Sequence, residues 1–116
     1  MKIDNGTKDL IRRAVNDVHL KSNSDAKDLN WYITQLCNDL EREFQGRKVF
    51  SPEESRYNPS SIIIPGVCVI EVKNESRTSY GWTDTKNWIN VNSEALFLPG
   101  VVVNFAMGRN PCIDWY

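Results

Sequence analysis

The spacing of apolar residues changes at Gly46, and this change limits the fold more than any other feature of the chain. Before Gly46, apolar residues recur about every 3.6 positions, the period of an α-helix. After Gly46, they recur about every second position, the period of a β-strand. β-branched and aromatic residues, which favour strands, also become more frequent there. We therefore predict an α+β domain in which helices precede a sheet.

Two helices are predicted, over residues 7–20 and 25–45, forming a helical pair over about residues 7–45. The apolar stripe of the first helix consists of Leu10, Ile11, Ala14, Val15 and Val18, and that of the second of Leu29, Tyr32, Ile33, Leu36, Cys37, Leu40 and Phe44. Thr7 and Ser24 are the predicted N-caps, and Gly46 is the predicted stop. Because few residues separate the helices, they should form an antiparallel hairpin or lie together across one sheet.

The second half of the chain predicts strands at residues 47–50, 61–73, 77–82, 88–91 and 95–107, the last with a break. We expect the helical pair to pack on one face of an antiparallel sheet of about five strands, over about residues 47–109. Residues 110–116 are then a C-terminal tail, and residues 1–116 form a single domain. The strand after Val67 is apolar on both sides, as in a central strand, and is predicted to enter solvent from Lys73 onward.

Two stretches between the strands have their own signals. Residues 51–60 contain Pro52 and Pro59 and are predicted to form a loop. Pro65-Gly66 and Pro99-Gly100 each precede a buried strand. Because proline lacks a ladder donor and glycine permits positive φ, each Pro-Gly pair predicts a turn or bulge.

The composition is that of an ordinary globular domain. A chain of 116 residues with 41% apolar positions can form a core without disulfides or metals. Its longest apolar runs, 62–64 and 101–103, are far shorter than the roughly 20 residues of a membrane-spanning helix, so no membrane association is predicted. The first residues lack the apolar region of a secretory signal, as in a cytoplasmic protein or a mature form whose signal has been removed, and we predict a cytoplasmic location.

The cysteines and the histidine predict no metal or cofactor. Cys37, Cys68 and Cys112 are odd in number and widely spaced, so reduced thiols are expected, with Cys37 and Cys68 in the core. No two of them have the short spacing of zinc ligands, and His19 is the only histidine in the sequence.

Charge and polar motifs argue against two large classes of function. The net charge is -1, and basic residues are adjacent only at 12–13 and 47–48, which argues against a nucleic-acid partner. The nearest acidic pairs, Glu53 with Glu54 and Asp84 with Glu94, have no spacing that fixes their geometry. Ser60, Ser61 and Ser79 lack a neighbouring base. The sequence therefore favours a binding protein over an enzyme.

Aromatic residues in polar surroundings are the one positive indication of a site. The candidate binding residues are Tyr80, Trp82, Asp84, Trp88, Trp115 and Tyr116. Trp and Tyr combine a large apolar body with one polar group, and they are frequent in protein-binding hot spots. Core packing of Trp82 or Trp88 is the competing interpretation. The terminal aromatic pair needs either its own domain or a partner to dock on.

We interpret the chain as a small intracellular protein-binding module that covers a surface of its partner, as inhibitors, immunity proteins and phage accessory proteins do. Two alternatives stay open. The first is a non-enzymatic binder of a small polar or nucleotide-like ligand, in a pocket lined by Trp82, Asn87, Trp88 and Asn104. The second is a structural subunit of a viral or other assembly, a homo-oligomer whose copies pair through sheet edges or the tail.

Overall fold

The computed structural model of the protein describes residues 2–23, 25, 27–50, 61–74, 98–106 and 110–116. In these ranges two helices precede four strands, which confirms the predicted α+β fold. The elements are α1 (Asn5–Ser22), α2 (Leu29–Glu43), β1 (Ser61–Ile64), β2 (Cys68–Lys73), β3 (Gly100–Asn104) and β4 (Cys112–Trp115).

Aspartates begin both helices. The Asp4 carboxylate accepts the Thr7 N–H at 2.7 Å, and the Asp28 carboxylate accepts the Trp31 N–H at 2.8 Å. These bonds satisfy amide groups that have no partner within the first turn. The N-caps are therefore Asp4 and Asp28 instead of the predicted Thr7 and Ser24, so α1 begins two residues earlier than predicted and α2 four residues later.

A buried carboxylate joins the two helices. Asp39 of α2 is 1% exposed, and its Oδ1 accepts hydrogen bonds from Lys21 Nζ of α1 at 2.8 Å and pairs with Arg42 at 3.0 Å. Arg42 also donates to Asp17 of α1 at 3.1 Å. Charge-assisted bonds of this kind are stronger than bonds between neutral groups, so the cluster fixes α1 against α2.

The sheet is mixed, whereas the sequence predicted an antiparallel one. Its order is β1-β2-β3-β4, and β2 runs parallel to β3 while both outer pairs are antiparallel. A parallel pair needs a connection of a dozen or more residues, and residues 74–99 supply this length. The described residues contain four strands, against the predicted number of about five.

A tight turn divides the predicted strand 61–73 into β1 and β2. Pro65 and Gly66 occupy its two central positions, and the Val67 N–H donates to the Ile64 carbonyl at 2.9 Å. Gly66 has a φ of 76°, as the third position of a type II turn requires. The predicted turn at Pro65-Gly66 is therefore confirmed, whereas Gly100 at the second Pro-Gly pair is the first residue of β3.

The two faces of the sheet differ. Alternate residues of the inner strands belong to one core with α1 and α2, namely Cys68, Ile70, Val72, Val101 and Val103. At the end of this core, the ring of Phe105 stacks on the ring of Tyr32 from α2 with 4.5 Å between centroids. The helices thus pack on one face of the sheet, as predicted.

Several predicted segments have different boundaries. The expected tail, 110–116, contains β4, because Ile113 and Trp115 alternate toward the core while the backbone pairs with β3. The predicted strand 47–50 makes one isolated bridge, between Phe50 and Ile63. The predicted loop 51–60 and the predicted strands 77–82 and 88–91 lie outside the described residues. Neither of the described helices is long and apolar enough to cross a membrane.

Replacing Gly66 with alanine should lower the free energy of unfolding by about 1 kcal/mol, because a Cβ is disfavoured at positive φ. The nearest atom to such a Cβ is Arg47 Nη1 at 3.6 Å, so the loss comes from the backbone and not from a clash. Gly6→Ala is the matched control in α1, and it should stabilise the chain by about 0.5 kcal/mol. Urea unfolding measures both, and equal midpoints for Gly66→Ala and the unchanged chain would contradict the argument.

Candidate functional site

The sheet face opposite the helices is buried and carries polar groups. Ser61, Glu71 and Asn104 are at most 2% exposed there. Ser61 lies directly opposite Glu71 in the β1–β2 pair, and Lys73 lies opposite Asn104 in the β2–β3 pair. We call these four residues the polar cluster.

Hydrogen bonds and charge organise most of the polar cluster. Lys73 Nζ lies 3.0 Å from Glu71 Oε1, since residues two apart in a strand point to the same face. The Asn104 amide oxygen accepts the Ala106 N–H at 3.0 Å and so fixes the end of β3. The Ser61 hydroxyl is buried and has no hydrogen-bond partner among the described residues.

The polar cluster has a structural role. Side chains as buried as Ser61, Glu71 and Asn104 do not meet molecules in solution, and the Glu71 charge is matched by Lys73. Within the described ranges, no group of three or more His, Cys, Asp or Glu side chains could hold a metal ion. The polar cluster therefore stabilises one arrangement of the strands.

Of the two end strands of the described sheet, β4 is the more exposed. We call β4 with the following residue, residues 112–116, the β4 edge. Every residue of the β4 edge is half-buried or exposed, whereas β1 at the other end of the sheet is almost entirely buried. Phe50 exchanges two backbone hydrogen bonds with Ile63 on the outer side of β1, at 2.9 and 3.0 Å. Among the described strands, β4 is thus the accessible one.

The backbone N–H and C=O groups of alternate residues in β4 point in opposite directions. The Tyr116 N–H donates to the Gly100 carbonyl at 2.9 Å, and Val102 lies opposite Asp114 in the same ladder. Because bonded and non-bonded pairs alternate in an antiparallel ladder, residues 112, 114 and 116 bond to β3. The N–H and C=O groups of Ile113 and Trp115 therefore point away from the sheet.

The side chains of the β4 edge alternate between its two sides. On the helix side, Ile113 and Trp115 pack against the core. The Trp115 ring lies 5.3 Å from Lys8 Nζ and 5.3 Å from the Arg12 guanidinium carbon, both of α1. These distances are those of cation–π contacts, which fix the ring at the end of the sheet.

On the opposite side, the β4 edge presents Cys112, Asp114 and Tyr116. Tyr116 is 52% exposed. Partial burial raises the pKa of the Tyr116 hydroxyl above its ordinary value, and the negative charges of Asp114 and Glu71 add to this rise. The direction of the pKa shift agrees with a hydroxyl that lies on the same side as these two carboxylates.

The predicted binding residues have different outcomes. Tyr80, Trp82, Asp84 and Trp88 lie outside the described residues, as does Asn87 of the alternative ligand pocket. Trp115 and Tyr116 are described, and the structure places them on opposite sides of one strand.

Sequence reasoning missed the polar cluster. The sequence signal for this cluster is the placement of Glu71 and Lys73 on one face of an otherwise apolar strand, but Lys73 was predicted to lie in solvent. The structure instead leaves the Lys73 side chain 17% exposed beside Glu71.

Comparisons of the chain with protein-family models, with curated proteins and with solved structures found no match in any of the three.

The cysteines differ in accessibility. Cys37 and Cys68 are buried, Cys112 is half-exposed, and none of the three forms a disulfide. Burial raises the pKa of the Cys68 thiol to about 12. Thiolates are the reactive form, so Cys68 is inert at neutral pH.

Lys73→Met should lower the free energy of unfolding by about 3 kcal/mol, because it removes a cation that lies 3.0 Å from the buried Glu71 carboxylate. Arg13→Met is the matched control, since Arg13 pairs with Glu43 at 3.7 Å on the surface with 66% of its side chain exposed. The control should change stability by about 0.5 kcal/mol or less. Urea unfolding measures the free energy of unfolding of both variants. Equal losses would show that the Glu71–Lys73 pair contributes no more to stability than a surface pair.

Thiol modification with an aromatic disulfide reagent at pH 8 should label Cys112 first and Cys68 only after unfolding, because the pKa of Cys68 is about 12. Cys112→Ser should remove the rapid phase. The pKa of Cys68 in the folded chain lies above its ordinary value of 9.0, so the contribution of this thiol to stability is complete below pH 9 and is lost as pH rises toward 12. Rapid labelling of Cys68 in the folded Cys112→Ser chain would contradict the assigned burial.

Proposed function

We propose that the chain is a small protein-binding module that binds an extended segment of its partner along the outer side of β4. The observation that carries this proposal is the pair of outward backbone units at Ile113 and Trp115 on the accessible end of the sheet. An exposed strand edge binds an extended peptide through main-chain hydrogen bonds, and side chains on both sides supply specificity.

The length of the β4 edge limits what it can bind. Pro111 has no N–H group, so the outward donors are those of Ile113 and Trp115. Within residues 112–116 a partner strand therefore meets two main-chain donors, and side chains add to the affinity. Trp115 and the exposed ring of Tyr116 lie beside this strand, and both residue types are frequent in binding hot spots.

The proposed strand addition suggests a mode of action. A partner segment bound along β4 would be covered by this domain and closed to other molecules, which fits a module that acts by occlusion.

No disulfide joins the three cysteines, which agrees with a reducing compartment and supports the cytoplasm as the proposed location.

The alternative of a small polar ligand has less support. Asn104 is the described member of that proposed pocket, and it is 2% exposed with its amide oxygen bonded to the Ala106 N–H. A buried side chain that already closes the end of β3 is poorly placed to meet a ligand. The strand-addition proposal uses backbone groups that point away from β3.

Ile113→Pro should weaken partner binding by about tenfold or more, because it removes an outward N–H group and leaves the bonds between β4 and β3 in place. Ile113→Ala is the matched control: it loses the same side chain and keeps the donor. The tagged chain and both variants would be tested against host lysate, and affinities measured with the purified partner after a check of folding by circular dichroism.

Binding by the Ile113→Ala variant within about threefold of the unchanged chain, together with loss in Ile113→Pro, supports strand addition. Equal binding by all three chains would show that the outer side of β4 is not used. Equal loss in both variants would assign the effect to the isoleucine side chain and would contradict a main-chain contact.

A further inference from the structure

The two sides of the β4 edge carry charges of opposite sign. On one side Asp114 is exposed, and it lies in the same row of the sheet as Glu71, with Val102 between them. On the helix side, Lys8 and Arg12 contact Trp115. Asp9 pairs with Arg12 at 3.0 Å and offsets part of that positive charge.

The backbone geometry decides where the side chains of an added strand would lie. In an antiparallel arrangement, the residues opposite Ile113 and Trp115 form the hydrogen-bonded pairs. The residue opposite Asp114 then forms the closer, non-bonded pair, with Cα atoms about 4.5 Å apart and both side chains on one side. Of all partner positions, this one meets the Asp114 carboxylate most directly.

The charges on each side then select the partner. A basic side chain opposite Asp114 gains an attractive cross-strand pair, and an acidic one meets a like charge. The two residues that flank this position in the partner strand point to the helix side. There Ile113 and Trp115 are apolar, and Lys8 disfavours a second cation. Extended segments with one basic residue between apolar residues fit both sides.

A second copy of this chain fits less well. The antiparallel registers that pair Ile113 or Trp115 with these residues of another copy place Cys112, Asp114 or Tyr116 opposite Asp114. None of these three side chains is basic, and the Asp114 register sets two carboxylates against each other. Charge complementarity thus favours a different protein over self-association.

We infer that the β4 edge selects an extended partner segment that places a lysine or arginine opposite Asp114, between apolar residues that face Ile113 and Trp115. This inference rests on the proposed strand addition and assigns Asp114 as the residue that determines specificity. Asp114 is exposed, so substitutions there leave the core intact.

The test is an amide NMR titration of the full chain with three blocked seven-residue peptides that share valine neighbours and differ at the central residue, lysine, methionine or glutamate. The signals of Ile113 and Trp115 should shift, and affinity should fall from the lysine to the glutamate peptide by about fivefold. The difference should shrink at high salt, since the Asp114 carboxylate is exposed. Asp114→Lys should reverse the order, and Asp114→Asn should remove the preference.

The outcomes separate this inference from the proposed function. Equal shifts at Ile113 and Trp115 with all three peptides would overturn the role of Asp114 and leave strand addition standing. No shift at these two amides with any peptide would overturn both. An unchanged order of affinities in the Asp114→Lys chain would also overturn the inference.

Discussion

The structure depends on the way β2 divides its backbone hydrogen bonds between two neighbours. The Val69 N–H donates to the Pro99 carbonyl at 3.0 Å, and the Phe105 N–H donates to the Lys73 carbonyl at 2.8 Å. These bonds fix β3 parallel to β2, while β1 takes the other side of the strand. Since β2 is buried on both faces, its register also decides which residues of β3 meet the helices. The position of β4 follows, because β4 pairs with the free side of β3.

Two buried carboxylates add to this arrangement from opposite ends of the domain. Asp39 joins α1 to α2 through Lys21, and Glu71 pairs with Lys73 on the far face of the sheet. A buried ion pair contributes little net stability, but separating its partners leaves an uncompensated charge, which is strongly unfavourable. Both pairs therefore penalise helix or strand arrangements that differ from the one observed.

The contrast between the two ends of the sheet connects the fold to the proposed function. Phe50 bonds to the outer side of β1, whereas β4 presents the outward groups of Ile113 and Trp115. Short strands, proline and charge are the usual protection of a sheet edge against unwanted pairing. β4 is a short strand, Asp114 lies within it, and Pro111 directly precedes it. An edge protected in this way can still bind a partner strand that places a positive charge opposite Asp114.

The sequence by itself determined the α+β class, the apolar stripes of both helices and the alternation of strand residues such as Ile70 and Val72. Each of these depends on residues close in the chain, where helix and strand periods are fixed by local geometry. The site was predicted only in part, since Trp115 and Tyr116 were identified but their place on an edge strand was not. Only the tertiary structure decided the parallel pairing of β2 with β3, the burial of Glu71 and the use of the expected tail as β4. These features depend on which distant segments pair and in which direction, and that choice is made by long-range packing that no local pattern encodes.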